Sequence, residues 1–278
     1  MILAGLQKLT LLDYPGEVAC TVFTKGCNLR CPFCHNPELV LPGLSQGNRQ
    51  EDSILKNNIS SNDTSHPMGE LPPGSSPNQT EAFFDYLNRR RGKLSGVVVS
   101  GGEPTLHADL PEFLGRIREM GFLVKLDTNG MRPEVLRKIV DAGLVDYVAM
   151  DVKNSPRKYA MTCGIAYLNA EATDTEAAIL WERARESISI LMEGHAAYEF
   201  RTTVVTGLHT EQDIKEIARQ LSGARAWYLQ QFIGEKKLVG SYCRGRRTLK
   251  LCTPSVAELE KMKSAVQLDV PSVALRGV

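Results

Sequence analysis

Residues 96–153 read GVVVSGGEPTLHADLPEFLGRIREMGFLVKLDTNGMRPEVLRKIVDAGLVDYVAMDVK. Three apolar runs rich in valine and leucine begin at Gly96, Phe122 and Val145, and the two segments between them have helical periodicity. Strands that alternate with helices predict a parallel sheet whose crossover connections are right-handed. This stretch therefore places the chain in the α/β class.

The alternation extends in both directions from this stretch. A strand is predicted from Glu17 to Thr24, and further strands begin at Tyr198 and Ala226, which makes six strands in all. Helices are predicted from Glu81, from Asp109, from Pro133, from Thr175 to Met192, from Glu211 and from near Ser255. Six such units fit either a partial (β/α)6 barrel or a doubly wound sheet, and periodicity does not separate the two. In both folds a functional site lies at the carboxyl ends of the strands.

The composition is that of an ordinary soluble globular protein. The 278 residues include 33 basic and 32 acidic side chains, and 42% of the residues are hydrophobic. This balance argues against a disordered chain and against a nucleic-acid-binding protein with a large basic surface. No apolar run approaches the roughly 18 residues that a membrane span needs. The start of the chain lacks a basic region and a signal cleavage site. We expect one cytoplasmic domain over residues 1–278, with no nucleic-acid or membrane partner.

Two segments depart from the regular pattern. Residues 45–80 contain 19 Ser, Asn, Gly or Pro residues and no aromatic residue, so they cannot bury enough apolar surface to offset the entropy of ordering. We predict a disordered, flexible insertion there. Residues 253–278 are predicted to form a helical extension at the carboxyl end of the chain.

Three of the seven cysteines, Cys27, Cys31 and Cys34, lie within eight residues of one another, directly after a predicted strand. Three close thiolates in one polar loop suit an iron–sulfur cluster or a soft metal, whereas a structural zinc site takes four ligands. A cluster held by three cysteines keeps one iron without a protein ligand, and that iron is free to bind substrate. Incidental core thiols would instead occupy apolar faces.

Polar segments also end the predicted strands. They are Ser100-Gly101-Gly102-Glu103-Pro104, Asp127-Thr128-Asn129-Gly130 and Met150-Asp151-Val152-Lys153. Each segment could bind a ligand, and each could instead be an ordinary turn or helix cap. Arg201 lies in the fifth strand, where it can clamp a carboxylate or pair with Glu199 on the same face. The remaining cysteines have unremarkable interpretations: Cys20 in the core, Cys163 in the loop after the fourth strand, and Cys243 and Cys252 beside a basic run.

The C-x3-C-x2-C pattern after the first strand resembles the signature of the radical S-adenosylmethionine (SAM) superfamily. The sequence Cys34-His35-Asn36-Pro37 resembles the activating enzymes of glycyl-radical enzymes. Three segments resemble the anaerobic ribonucleoside-triphosphate reductase activating proteins in particular: Asp13-Tyr14-Pro15-Gly16, Phe23-Thr24-Lys25-Gly26-Cys27 and Ser100-Gly101-Gly102-Glu103-Pro104-Thr105. The similarity runs from about Met1 to Phe232, with the insertion as an interruption.

The resemblance implies a partial (β/α)6 barrel, a [4Fe–4S] cluster on Cys27, Cys31 and Cys34, and SAM as cofactor. The SAM-binding residues that it implies are Phe33, His35, Gly101, Gly102, Glu103, Asp127, Thr128, Asn129, Asp151, Lys153 and Arg201. It also implies a monovalent cation beside the SAM carboxylate, held by Asp127, Thr128, Met150 and Asp151. We identify no conventional acid–base pair.

The resemblance further implies a reaction and its partners. SAM is cleaved reductively, and a glycyl radical is generated on a partner, the catalytic subunit of an anaerobic ribonucleoside-triphosphate reductase. A flavodoxin- or ferredoxin-type protein supplies the electron. Two other functions stay open: a small-molecule radical SAM enzyme similar to the 7-carboxy-7-deazaguanine synthases, and a non-catalytic thiol metal-binding module. The Gly-Gly-Glu-Pro and Asp-x-Lys segments count against the module.

Overall fold

One eight-stranded sheet carries the fold. In the computed structural model, which describes residues 1–41, 77–164, 174–234, 237–242 and 250–278, its strands follow chain order from one edge to the other. The strands are β1 (Leu3–Thr10), β2 (Ala19–Thr24), β3 (Gly96–Gly101), β4 (Leu123–Thr128), β5 (Tyr147–Asp151), β6 (Ala197–Val204), β7 (Trp227–Gln231) and β8 (Val273–Arg276). β1 pairs with β2 antiparallel, and every other neighbouring pair is parallel.

Helices lie between the parallel strands. They are α1 (Pro37–Val40), α2 (Pro77–Asn88), α3 (Leu110–Glu119), α4 (Pro133–Asp141), α5 (Tyr159–Thr162), α6 (Asp174–Met192), α7 (Glu211–Gln220), α8 (Val239–Tyr242) and α9 (Val256–Ser264). No helix in the described part of the chain is long and apolar enough to cross a membrane.

Local sequence explains why these elements form. Val97, Val98 and Val99 are fully buried, as expected for a parallel strand covered on both faces. α4 begins with proline at its first position and buries Leu136, Ile139 and Val140, which share one helical face. α7 and α9 both begin with a capping box, in which the side chain before the helix and the third helical residue bond reciprocally.

The strand order decides between the two folds that periodicity left open. A doubly wound sheet reverses its strand order at a switch point, whereas this sheet runs from β1 to β8 without reversal. Side chains of strands two apart also meet on its inner face: Arg201 of β6 lies 3.2 Å from Asp127 of β4, and Arg276 of β8 lies 2.7 Å from Glu199 of β6. The sheet is therefore a partial barrel, and the prediction of that fold is confirmed.

Several predicted boundaries are wrong. β1 and β8 were not predicted, because β1 lacks clean alternation and has two register irregularities, and β8 is only four residues long. The predicted helical extension over 253–278 therefore also contains a strand. α2 begins at Pro77, so the predicted insertion ends earlier than Thr80; residues 45–76 lie outside the described residues.

Aromatic side chains close the amino-terminal end of the barrel. Tyr14 is buried and packs with Ala19 and Val98, and its ring lies 6.0 Å from that of Tyr147. A Cβ atom on Gly96 would lie 3.0 Å from the Tyr14 ring. The Asp13-Tyr14-Pro15-Gly16 segment thus plugs the end of the barrel opposite to the carboxyl ends of the parallel strands.

Candidate active site at the carboxyl ends of the strands

A cavity of about 260 Å³ lies where β2 to β6 end, on the side that the sequence predicted. Of the predicted site residues, only Met150 does not line it. Those that do are Cys27, Cys31, Cys34, Phe33, His35, Gly101, Gly102, Glu103, Asp127, Thr128, Asn129, Asp151, Lys153 and Arg201. The structure thus brings residues from five strand ends to one cavity, and their roles toward a cofactor stay predictions.

The loop that carries the three cysteines is fixed by backbone hydrogen bonds from both sides. The Arg30 N–H donates to the Cys163 carbonyl at 3.0 Å. The N–H groups of Val239 and Gly240 donate to the carbonyls of Cys34 and Pro32, both at 3.0 Å. The segments after β5 and β7 therefore hold the loop, although neither is near it in sequence.

Burial sets the chemistry of the thiols. It raises the pKa of Cys27 to about 12 and that of Cys34 to about 11. Cys31 differs, because a hydrogen bond from the Cys163 thiol lowers its pKa. Iron would replace the protons, since a coordinating thiol is deprotonated outright.

The donor set fits an iron–sulfur cluster. Among the described residues, no three His, Cys, Asp or Glu side chains form a group that could hold a single metal ion. In a cluster each thiolate binds a different iron, so the three sulfurs need not converge on one point. The thiols of Cys27, Cys31 and Cys34 share one cavity wall, as a cluster requires.

Gly101, the last residue of β3, and Gly102 after it are required by a neighbouring strand end. A Cβ atom on Gly102 would lie 2.0 Å from the carbonyl oxygen of Gly26, and one on Gly101 would lie 2.2 Å from the backbone nitrogen of Thr24. From the sequence, the two glycines were expected to let the backbone approach a ligand closely. The structure shows that the backbone at the end of β2 and in the loop after it already requires them, while both still line the cavity.

Glu103 holds two strand ends together. Its buried carboxylate accepts hydrogen bonds from the N–H and hydroxyl of Thr105, from the Thr128 hydroxyl at 2.7 Å and from the Asn129 N–H at 2.7 Å. Burial raises its pKa, although these donors oppose that effect. The Glu103 side chain therefore shapes the cavity wall by joining the turns after β3 and β4.

A chain of alternating charges crosses the cavity. Arg201 donates from Nε to Asp151 at 2.9 Å and from a terminal nitrogen to Asp127 at 3.2 Å. Lys153 donates to Asp151 at 2.7 Å, and Lys125 donates to Asp127. Burial alone would raise the pKa of Asp151, but Arg201 and Lys153 lower it to about 2. Lys153 and Arg201 are thus the cations that line the cavity, beside the carboxyl groups of Glu103, Asp127 and Asp151.

Arg201 does not pair with Glu199, the alternative that the sequence left open beside a contact with SAM. Glu199 lies deeper in the barrel, where Arg276 of β8 donates to both of its carboxylate oxygens, at 2.7 and 3.0 Å. Arg201 bonds instead to carboxylates of β4 and β5. The pairing could not be foreseen because Arg276 lies in a strand that the sequence pattern did not reveal.

The predicted cation ligands lie on two adjacent strands, where Thr128 pairs with Met150. The carboxylates of Asp127 and Asp151 are already bonded to Arg201, and the Thr128 hydroxyl donates to Glu103. The Met150 side chain is buried and lies close to Gly130, and it does not line the cavity. A monovalent cation at this place stays a prediction.

His35 is held by the segment after β7. Its Nε2 atom lies 2.9 Å from the Ile233 carbonyl oxygen, and its ring stacks on Phe232 with the centroids 5.3 Å apart. The ring thus forms one side wall of the cavity, and Phe33 lines the same cavity. Cys243 and most of the basic run beside it lie outside the described residues, and Cys20 is buried as predicted.

Sequence reasoning missed three residues near the site. Lys125 is buried and precedes Asp127 by two positions in β4, so the period of a strand could have placed both on the inner face. Tyr159 and Cys163 lie behind the cysteine loop, and no local signal points to them.

The fold and the cavity match a known family. Residues 21–221 match the Radical SAM superfamily, and the chain belongs to that superfamily. It is therefore a radical SAM enzyme, and this membership implies a [4Fe–4S] cluster and SAM.

Several relatives resemble the chain over much of its length. A Methanocaldococcus jannaschii protein provisionally named a glycyl-radical enzyme activating enzyme is 29% identical over 278 residues, which cover 100% of this chain and 96% of the relative. The 7-carboxy-7-deazaguanine synthase of Thermococcus kodakarensis is 27% identical over 74% of this chain and 70% of its own length. The pyruvate formate-lyase-activating enzyme of Listeria monocytogenes is 26% identical over 56% of this chain and 54% of its own length.

Solved structures share the fold. TYW1 with a bound lysine–pyruvate adduct superposes with a TM-score of 0.50 at 14% identity, over 90% of this chain and 73% of TYW1. Streptococcus suis SuiB bound to S-adenosylmethionine has a TM-score of 0.51 at 14% identity, over 92% of this chain and 51% of SuiB. At this identity the likeness shows the partial barrel alone.

Proposed function

We propose that this radical SAM enzyme is an activase that generates a glycyl radical on a partner enzyme, the catalytic subunit of an anaerobic ribonucleoside-triphosphate reductase. The observation that carries the proposal is the similarity to a glycyl-radical enzyme activating enzyme over the whole chain. The Listeria activating enzyme supports the same class. The reductase as partner rests on the motifs around Asp13, Phe23 and Ser100.

The charges of the cavity support a role in binding SAM. Cys27, Cys31 and Cys34 would hold the cluster, which when bound supplies the electron that cleaves SAM. Arg201 and Lys153 place a guanidinium and an ammonium group in the cavity wall, and such donors suit the carboxylate of an amino acid. Because both cations are also paired with Asp151, their positions are set before a ligand arrives.

The strand-end turns would supply the remaining contacts. The backbone around Gly101 and Gly102 lines the cavity next to the cysteine loop, where an amino group could be bound. Glu103 fixes that turn through its bonds to Thr128 and Asn129, so it acts by positioning the wall. Phe33 and His35 offer aromatic surface beside the cluster cysteines for adenine.

A small-molecule reaction is the second candidate. The similarity to a 7-carboxy-7-deazaguanine synthase over 74% of the chain favours it. The two candidates differ in one property: an activase transfers the radical to a protein glycine, whereas the synthase-like enzyme acts on a small molecule without a partner.

The deciding experiment uses the full chain, reconstituted anaerobically with iron and sulfide, reduced with dithionite and mixed with SAM. Release of 5′-deoxyadenosine and methionine is measured with and without the candidate reductase subunit, and the EPR spectrum is recorded. A glycyl-radical doublet that matches the deoxyadenosine yield supports the activase. SAM cleavage without a doublet would exclude this partner, and an absence of cleavage by a protein with a full iron and sulfide load would overturn the proposal.

A further inference from the structure

His209 is a buried histidine that contacts a cavity residue from behind. It lies in the connection from β6 to α7, directly before Thr210, whose side chain caps α7. The residue is only 5% exposed, and it does not itself line the cavity. The function proposed above does not use it.

The hydrogen bonds of the ring fix the position of its proton. The Val205 N–H donates to Nδ1 of His209 at 3.1 Å, so Nδ1 carries no proton. Nε2 lies 2.8 Å from the Lys153 carbonyl oxygen, which can only accept. The proton is therefore on Nε2, and the ring donates to Lys153. Burial lowers the pKa of His209, in agreement with a neutral ring.

Lys153 lies just beyond the strand ladder. β5 pairs with β6 as far as Asp151 and Arg201, and the Val152 N–H still donates to the Arg201 carbonyl at 2.8 Å. The next residue is Lys153, whose carbonyl accepts the bond from His209. An imidazole therefore continues the link between these two segments where the backbone ladder ends.

Further polar bonds join the same two segments. Asn154 donates to the Leu208 carbonyl at 3.4 Å, and the Ser155 hydroxyl donates to the Asp213 carboxylate at 3.0 Å. Because these bonds remain when His209 is replaced, the segments should stay together. What is lost is the contact nearest to the cavity.

We infer that His209 is a positioning residue for SAM binding, whose Nε2–H holds the Lys153 backbone so that the ammonium group of Lys153 meets the cavity. Lys153 lines the cavity and donates to Asp151 at 2.7 Å. This role rests on the function proposed above, in which Lys153 faces the carboxylate of SAM. Without His209, ordering Lys153 would cost free energy on binding, and the affinity for SAM would fall.

The test is equilibrium binding of SAM to the full chain, reconstituted anaerobically with iron and sulfide. We expect His209→Asn to weaken binding about threefold to tenfold, because the shorter amide can accept from Val205 but cannot reach Lys153. His209→Gln places an amide nitrogen near the position of Nε2 and should bind within about twofold of the unsubstituted protein. His195→Asn is the matched control: His195 is exposed beside Glu193, and its replacement should leave the affinity unchanged.

A double-mutant cycle separates positioning from general damage to the fold. Lys153→Met removes the ammonium group, so His209→Asn should have no further effect on SAM affinity in that background. An equal loss in both backgrounds would mean that His209 does not act through Lys153, which overturns the inference. The KM for SAM should rise in His209→Asn while kcat for SAM cleavage stays within about twofold, since His209 touches no reacting group.

The outcomes also distinguish this role from the function on which it rests. If Lys153→Met binds SAM as tightly as the unsubstituted protein, the proposed contact of Lys153 with SAM is overturned. If Lys153→Met binds more weakly while His209→Asn matches His195→Asn, only the role of His209 is overturned. Failure of the unsubstituted protein to bind a cluster or SAM would overturn the proposed function itself.

A spectroscopic signature needs no folded Asn variant. Nitrogen-15 NMR of the histidine-labelled, cluster-loaded and oxidised protein reads the ring tautomer directly. We expect the His209 ring to be neutral, with its proton on Nε2, and its signals to be identified by their absence from His209→Gln. A proton on Nδ1 would contradict donation to Lys153.

Discussion

The Nε atom of Arg201 lies 2.9 Å from a carboxylate oxygen of Asp151, in the middle of a cavity that five strand ends enclose. The same guanidinium also reaches Asp127. One side chain of β6 therefore ties β4 and β5 together at the place where the cofactor residues are predicted. The pairing makes this region rigid and charged before any ligand binds.

Replacement of Arg201 by methionine should destabilise the protein. It leaves Asp127 and Asp151 with one cation each in a buried site, and loss of one partner from a buried ion pair typically costs about 3 kcal/mol. SAM affinity should also fall about tenfold, because a bidentate donor is lost. Denaturant unfolding and equilibrium SAM binding measure the two effects. Arg185→Met, which removes an exposed pair with Glu182, should change the unfolding free energy by less than about 0.5 kcal/mol; equal effects for both variants would contradict the assignment.

Asp151 should contribute stability that depends on pH in a defined window. Its pKa is about 2 in the folded protein and about 3.9 when unfolded, so ionisation favours the folded state above pH 4. This contribution, about 2 to 3 kcal/mol, is lost as the pH falls from about 4 through about 2.

Urea unfolding of the unsubstituted protein and of Asp151→Asn between pH 6 and pH 2 measures this contribution. The difference between the two unfolding free energies should be largest at pH 6 and should shrink toward pH 2. A difference that does not change over this range would show that Asp151 is not held by Arg201 and Lys153 as described.

Gly102→Ala should disrupt the turn that joins β3 to the cavity. The added methyl group would meet the Gly26 carbonyl at 2.0 Å, so the backbone before the first cluster cysteine must move. We expect a loss of about 1 to 3 kcal/mol in unfolding free energy and reduced iron loading. Gly115→Ala is the matched control, since its Cβ would meet only a side-chain atom at 3.9 Å inside a helix. That variant should gain about 0.5 to 1 kcal/mol; iron loading that is equal in both variants would argue against the proposed contact.

Cys34→Ala should abolish cluster chemistry without unfolding the chain. Iron and sulfide content after reconstitution should fall, and SAM cleavage should decrease by more than about tenfold, because a ligand is lost from a three-cysteine site. Cys20→Ala removes a thiol of the same kind from the core and should retain full iron content. Full iron content in Cys34→Ala would mean that another residue completes the site.

Much of the site was predictable because it lies in short segments of sequence. Cys27, Cys31 and Cys34 occur in one loop, and Asp127 and Asp151 each end an apolar strand. Parallel strands place their carboxyl ends on one side, so local patterns alone brought these residues to one face. The same reasoning placed Lys153 beside Asp151, and the structure shows that pair at 2.7 Å.

Other features were out of reach of local patterns. β1 and β8 lie at the two edges of the sheet, where short or irregular strands leave weak signals. Because β8 was not predicted, its Arg276 could not be identified as the partner of Glu199. An ion pair of Glu199 with Arg201 therefore stayed open as an alternative. The glycines after β3 were assigned to ligand approach because sequence does not show that the backbone of Gly26 passes so close.

The sequence by itself determined the alternation of strands and helices, the side of the sheet that carries the site and the cysteine set, because each depends on residues that are neighbours along the chain. The tertiary structure alone decided the contacts between distant segments: Arg276 with Glu199, Glu103 with Thr128, and the Arg30 N–H with the Cys163 carbonyl. Such contacts depend on the closure of the sheet and on the path of each connection, and these follow from packing the whole core at once.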